Sequence, residues 1–359
     1  MHNYYNVVVV GKTGVGKSSF INYIYGEKLL KTGAGKPVTK RGFESITAKI
    51  NDLLVRLYDS WGLEADKADE WMKILELELK KRSYNENIED WFHTVFYCIS
   101  AGSGRIEEYD LKIIRKFLQE KYYVSVILTK ADQCTHGELE ELKRVLWNEI
   151  HSELDIIPVI SEEKVTRTGK ITPEGKTNVE CSIENGFWDS IARRIPEMCV
   201  YRLSNDIEDW YKDQVQYIDN NLIRFKRKDV EDHLNQQINA LNDKLNSRYI
   251  SDSVDDSLRS VIKYFSEISN NLFPDSYYPF SIGAINKRIQ NKKLTFGDYA
   301  SAIGNLFLFN FEYWRDKGYG NKLKEQVGDI KNEVINKIQE IKPEIEGYIH
   351  SLNRENKVV

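Results

Sequence analysis

Eight consecutive residues, Gly11-Lys12-Thr13-Gly14-Val15-Gly16-Lys17-Ser18, combine three glycines, two lysines and two hydroxyl side chains. That mixture suits the holding of phosphate. Glycines let successive backbone N–H groups turn toward an anion, and a helix starting there adds the positive end of its dipole. Lys17 is expected to reach the outer phosphates and Ser18 to offer its hydroxyl to Mg²⁺. Gly11, Thr13, Gly14, Val15, Gly16 and Ser19 complete the expected cradle. A buried strand before the run and a helix over Ser18–Tyr25 after it give the context that this chemistry needs.

Phosphate alone does not choose a base. Thr129-Lys130-Ala131-Asp132 follows an apolar run and carries a carboxylate suited to that choice. An aspartate can accept from both N1–H and the exocyclic N2–H of guanine, whereas adenine presents no such pair of donors. The Lys130 stem is expected over the base plane. Asp59-Ser60-Trp61-Gly62 reads as D-x-x-G, with Asp59 toward Mg²⁺ through water and the Gly62 N–H toward the γ-phosphate. Thr39 is the expected threonine of the metal shell, with Thr32 as the alternative. Ser161-Glu162 is expected to present backbone N–H groups to guanine O6, and Cys181-Ser182 is the competing assignment. Leu63 follows the D-x-x-G run, where a glutamine would orient the attacking water, so slow intrinsic turnover is expected. Arg41 and Arg105 are the candidates to meet developing phosphate charge, and Arg105 is the preferred catalytic one.

These residues need a scaffold, and the first 200 or so positions supply one. Apolar runs alternate with amphipathic stretches, which predicts an α/β fold with a mostly parallel sheet covered by helices. Strands are expected at Tyr5–Val10, Phe43–Ile50, Leu53–Tyr58, Thr94–Ser100, Val124–Leu128 and Ile156–Ile160. Asn51-Asp52 should join the second and third as an antiparallel pair. A polar insertion at 162–178 reads as a hairpin or loop. From about Ile207 the pattern becomes helical throughout. Ile218, Leu222 and Phe225, then Leu234, Ile238, Leu241, Leu245 and Tyr249 recur at helical spacing, as do Leu323, Val327, Ile330, Val334, Ile338, Ile341, Ile345 and Leu352. Pro343 should interrupt the last of these helices, and a further helix is expected from Phe296 to Lys317, capped by Thr295 and ended by Gly318. The expected division is therefore 1–203 and 204–359.

Composition narrows the function. The 359 residues carry 51 Lys plus Arg against 55 Asp plus Glu, a formal charge of −4 that argues against a globally basic nucleic-acid binder. Four scattered cysteines form no C-x-x-C pair, and six histidines show no metal-ligand spacing. No run approaches the roughly 18 apolar residues that cross a bilayer, and no secretory leader is visible, so a reduced, cytoplasmic setting is expected. Arg224, Lys226, Arg227 and Lys228, and Lys287, Arg288, Lys292 and Lys293, read as solvated helix faces rather than lipid or RNA contacts. Leu306–Phe311 reads as buried helix core rather than a membrane insert, and membrane association is not favoured.

Taken together, GKTGVGKSS (Gly11–Ser19), PVTK (Pro37–Lys40), DSWG (Asp59–Gly62), TKAD (Thr129–Asp132) and the stretch His93–Asp110 resemble a TRAFAC-class GTPase domain, most like the septin, Toc and AIG1/GIMAP branch. The resemblance covers a little over half of the chain and nothing from Ile207 onward. It implies a three-layer P-loop GTPase domain, with GTP and GDP as substrate and product and Mg²⁺ as cofactor. The all-α helical domain that follows is expected from its periodicity alone, and a GTP-dependent homodimer and a protein partner for the helical half are further expectations.

Overall fold

The computed structural model describes residues 4–25, 43–50, 53–60, 68–150, 154–166, 169–221, 227–247, 249–272 and 318–354. Thr32, Thr39, Arg41, Gly62 and Leu63 lie outside them, as does the expected helix from Phe296 to Lys317.

A short run of β-branched apolar residues with no polar alternation suits a strand covered on both faces. Strand β1 (Tyr5–Gly11) is such a run, buried at all seven positions. It pairs in parallel with β3 (Leu53–Ser60) on one side and with β4 (Thr94–Ser100) on the other. β4 continues in parallel to β5 (Val124–Thr129) and then to β6 (Asp155–Val159). β2 (Phe43–Ile50) is antiparallel to β3 as expected, with Ile50 opposite Leu53. The sheet order is β2-β3-β1-β4-β5-β6, mostly parallel as expected.

Side chains alternate between the faces, and each face has its own cover. Val8, Val10, Tyr97, Ile99, Val126 and Leu128 pack with three helices: α2 (Ala68–Lys80) through Trp71, Leu75 and Leu79, α3 (Glu108–Gln119) through Leu111, Ile114 and Phe117, and α4 (His136–Ile150) through Leu142 and Leu146. On the opposite face Phe20 of α1 (Lys17–Tyr25) meets Phe96 edge-on at 5.3 Å between ring centroids. There also Ser182 of α5 (Lys176–Asn221) bonds Ser125 of β5 across 2.7 Å. The result is three layers around one sheet. Parallel strands all end at the same edge, so among the described residues the segments after β1, β4, β5 and β6 gather there.

The polar insertion forms a hairpin, β7 (Lys164–Thr166) with β8 (Gly169–Ile171), and α5 already begins at Lys176. α5 runs 46 residues and passes through Pro196. Residue 203 lies within it, and the chain separates into two compact units nearer to Arg194. One unit takes the residues up to Arg194 with the helix end from Lys263, and the other takes Ile195–Ile262 and the C-terminal helices. In that second unit α6 (Arg227–Asn246), α7 (Tyr249–Leu272), α8 (Tyr319–Glu340) and α9 (Lys342–Arg354) carry the expected stripes. Leu234, Ile238, Leu241 and Leu245 are buried, as are Leu323, Val327, Ile330, Val334, Ile338, Ile341 and Ile345. Ile218, Val230, Leu234, Tyr319, Leu323 and Val327 form one cluster of that core. The break between α8 and α9 falls at Ile341, and Pro343 stands in the first turn of α9, where its missing N–H costs nothing. Gly318 serves as the N-cap of α8.

Candidate functional site

The loop between β1 and α1 is shaped by its glycines. Gly11 has φ +147° and Gly16 φ +103°, conformations that side chains resist, and Gly14 adopts φ +79°. A Cβ on Gly11 would lie 2.4 Å from the Cys98 carbonyl oxygen, so only glycine lets the chain leave β1 against β4. Lys17 opens α1 and is nearly buried; its Nζ donates to the Gly11 and Lys12 carbonyls at 2.8 and 2.9 Å. Burial pulls its ammonium below the usual lysine range, and the charge of Asp59 opposes that shift. Asp59, buried near the end of β3 in register with Val9, is thus the acidic neighbour of this lysine. Ser18 is half-buried on the first turn of α1, and Thr13 and Gly14 are exposed. Lys12 leaves the loop sideways, with Nζ 2.9 Å from Glu107 and 3.0 Å from Asp110. Asp110 in turn accepts from the Tyr97 hydroxyl at 2.8 Å and from the Glu107 N–H at 2.9 Å. Nothing in the local sequence signalled that tether, which joins residues 98 positions apart.

The end of β5 comes up beside the loop. Thr129 donates its hydroxyl to the Val15 carbonyl and to Ile99 O, the latter at 3.1 Å. Lys130 takes a left-handed conformation, φ +53°, and its Nζ donates to Gly14 O at 2.6 Å. The lysine side chain therefore reaches back from the turn after β5 to the loop after β1. Gly16, Ser19, Thr129, Lys130, Asp132, Gln133, Ser161, Glu162 and Lys164 line one cavity of about 180 Å³. Ser161 and Glu162 belong to this lining, and the Ser19 hydroxyl donates to Glu162 at 2.7 Å. Of the competing pair, Ser182 is buried against Ser125 and Cys181 is exposed on α5. Arg105 is exposed on the turn after β4, just past Gly104 at φ +65°, and does not line the cavity. Gln133 and Lys164 were not expected there. Lys164 sits on the inserted hairpin 32 positions from its partner Asp132, a distance across which no local pattern can report.

Residues 6–130 match the family model described as "50S ribosome-binding GTPase". Those residues form a P-loop GTPase domain. Curated relatives include a tRNA modification GTPase MnmE of Prochlorococcus marinus (strain MIT 9301), 29% identical over 149 residues that make up 41% of this chain and 30% of that protein. Septin-14 of Mus musculus is 24% identical over 169 residues, 41% of this chain and 38% of the septin. Translocase of chloroplast 108 of Physcomitrium patens is 41% identical over 64 residues, 18% of this chain and 6% of the translocase. These relatives fall in the septin and Toc groups as well as among bacterial GTPases. The chain spans about a third of the length of the MnmE and septin relatives. Among solved structures, Toc33 from Arabidopsis thaliana in complex with Mg²⁺ and GMPPNP aligns with TM-score 0.38 and 15% identity, covering 54% of this chain and 86% of Toc33. Era in complex with MgGDPNP and a segment of 16S ribosomal RNA aligns with TM-score 0.37 and 19% identity, covering 51% and 57%.

Proposed function

We propose that this P-loop GTPase domain binds GTP and GDP with Mg²⁺, hydrolyses GTP slowly, and switches the state of a helical domain that engages a protein partner or a second copy. The observation that carries the reading is a convergence: Gly16 and Ser19 of the phosphate loop and Thr129, Lys130 and Asp132 of the base element line a single cavity. A phosphate cradle and a guanine-reading carboxylate in one pocket describe a guanine nucleotide better than any other ligand.

Each side chain then has a task. Gly11, Thr13, Gly14, Val15 and Gly16 turn backbone N–H groups to the phosphates, and Lys17 exchanges its two carbonyl contacts for phosphate oxygens. Asp132 accepts from the guanine edge, Lys130 lies along the base, and Ser161 and Glu162 close the pocket on its far side. Ser18, half-buried on the first turn of α1, and Asp59, buried and close enough for its charge to act on Lys17, are hard oxygen donors that would hold Mg²⁺, with Thr39 as the third protein ligand. Bound there, the cation would neutralise charge on the β- and γ-phosphates. Water attacks the γ-phosphorus, the bond to the β-phosphate oxygen breaks, and GDP, phosphate and a proton leave. Gly62 of the D-x-x-G run is assigned to sensing the γ-phosphate through its N–H.

Leu63 has no donor or acceptor for the water, so turnover in isolation is slow. The exposed Arg105 is suited to reach a nucleotide on a second molecule, which makes hydrolysis a property of a GTP-dependent homodimer. The nucleotide is handled by the unit that runs up to Arg194, and the helical unit that follows is the output part, in a cytoplasmic protein. No helix among the described residues is long and apolar enough to cross a membrane.

One experiment tests the core of this. Asp132→Asn should lose guanine nucleotide affinity on the order of 10²-fold and gain xanthine nucleotides, whose O2 accepts from an amide. Equal wild-type binding of ATP and GTP in a competition titration would reject the assignment. Phosphate release per molecule that rises with protein concentration, and falls on Arg105→Ala, is the expected kinetic signature.

A further inference from the structure

The carboxylate expected to read guanine is already engaged by the chain itself. Lys164 Nζ lies 2.6 Å from Asp132 Oδ2, and the Asp132 side chain is only 6% exposed against 37% for Lys164. This is a partly shielded ion pair at the wall of the cavity, with the carboxylate buried and the ammonium on its open side. The hairpin that delivers Lys164 is fixed at its base. Ile160 and Glu174 exchange backbone bonds of 3.1 and 3.0 Å, and Gly175 packs so tightly that a Cβ there would lie 2.5 Å from Pro158 O. Two residues before Lys164, Glu162 holds Ser19 of α1. The short run 161–164 thus crosses the cavity wall with one pin on the phosphate-side helix and one on the base element.

We propose that Lys164 is a gate residue of the base site. Its ammonium holds the place on Asp132 that the N1–H and N2–H donors of guanine must take, so a guanine base seats only by displacing it. This rests on the reading of Asp132 as the guanine contact. The consequence runs against simple electrostatics. A lysine beside an anionic ligand ordinarily attracts it, and its removal weakens binding to every nucleotide alike. A lysine that competes with the base does the reverse, and only for bases that use Asp132, because displacement subtracts the energy of the ion pair from binding.

The test is a titration of full-length wild type, Lys164→Ala, Lys164→Met and Lys164→Arg with GDP and with ADP, together with GDP association rates. Lys164→Ala and Lys164→Met should bind GDP roughly two- to tenfold tighter, the range expected of a partly shielded ion pair, and associate faster. ADP binding should not change, and Lys164→Arg should behave as wild type. Weaker or unaltered GDP binding by both Lys164→Ala and Lys164→Met, beside an intact preference for GDP over ADP, overturns the gate and leaves the guanine reading standing. Equal GDP and ADP binding by the wild type overturns both.

Discussion

β1 and β4 run side by side and end in two different environments. At their first residues, polar groups are buried against one another. The Asn6 N–H donates to His93 Nδ1 at 2.9 Å, the Asn6 side-chain amide donates to Glu89 O and Trp91 O, and Tyr5 OH meets Thr94 across 2.8 Å. Arg194, fully buried, donates to Glu120 O and Arg82 O and lies over the rings of Trp91 and Tyr122. At the opposite end of the sheet, the segments that follow β1, β5 and β6 carry charges resting on groups that a ligand can replace: Lys17 on its own loop carbonyls, Lys130 on Gly14 O, Lys164 on Asp132. Contacts of the first kind contribute stability and have no further use. Those of the second kind are provisional, and the difference separates the end that holds the fold from the end that binds.

The largest effect should come where the two roles meet. Gly11→Ala must place a methyl 2.4 Å from a backbone oxygen of β4 at φ +147°. Steric overlap and backbone strain together should cost about 4 kcal/mol in denaturant unfolding and abolish nucleotide binding. Gly14→Ala, at φ +79° with nothing within 4 Å of its Cβ, should cost about 1 kcal/mol. Similar losses for the two variants would show that the junction with Cys98 does not shape the loop.

Next in size is a pH effect confined to the closed end. Burial is the first cause that lowers His93 to about 4, and the charge of Arg194 also lowers it. An unfolded histidine titrates near 6.5, so below that pH the unfolded chain takes up a proton that the folded one refuses. Stability from this residue is complete above about pH 6.5 and falls as pH drops toward 4, by up to roughly 3 kcal/mol. Denaturant midpoints across that window should show the slope, and His93→Gln should flatten it. GDP affinity of His93→Gln at neutral pH should match wild type. A shifted affinity would break the separation of the two ends.

How far this was legible in sequence depends on the range of the signal. Strands with no alternation, the glycine spacing of the loop and the TKAD run are local, so β1, the tight turn that follows it and the position of Asp132 after β5 could be read directly. The antiparallel β2–β3 pair followed from a two-residue turn, and the stripe Leu323–Ile345 from its period. Arg194 could not be recognised as a core residue, because charged side chains are ordinarily solvated and its partners are backbone oxygens at residues 82 and 120. The start of α5 at Lys176 was hidden by the polar insertion, and its passage through Pro196 contradicts what a proline signals locally. Lys164 on Asp132, Glu162 on Ser19 and Lys12 on Asp110 depend on where loops arrive after folding. The half of the site set by backbone was therefore readable, and the half set by long-range side-chain pairs was not.

Lys17→Ala gives the most direct contrast with His93→Gln. Lys17 is buried, burial lowers its ammonium, and its bonds are to carbonyls of the loop it serves. Holding a charge there without phosphate is costly, and the nearby Asp59 offsets only part of that cost. Truncation therefore removes an unfavourable burial along with two hydrogen bonds, and unfolding free energy should move by less than about 1 kcal/mol. Binding is different, because phosphate supplies the full counter-charge that the loop lacks. A charge-assisted contact contributes roughly 1.5–3 kcal/mol, so GDP and GTP affinity should fall on the order of 10- to 10²-fold. Preference for guanine over adenine should persist, since the base element is untouched. Calorimetric titration beside thermal unfolding of the same variant reads both quantities. A variant that binds nucleotide normally but melts far below wild type would make Lys17 a structural residue, and the two ends of β1 would then differ in nothing but position.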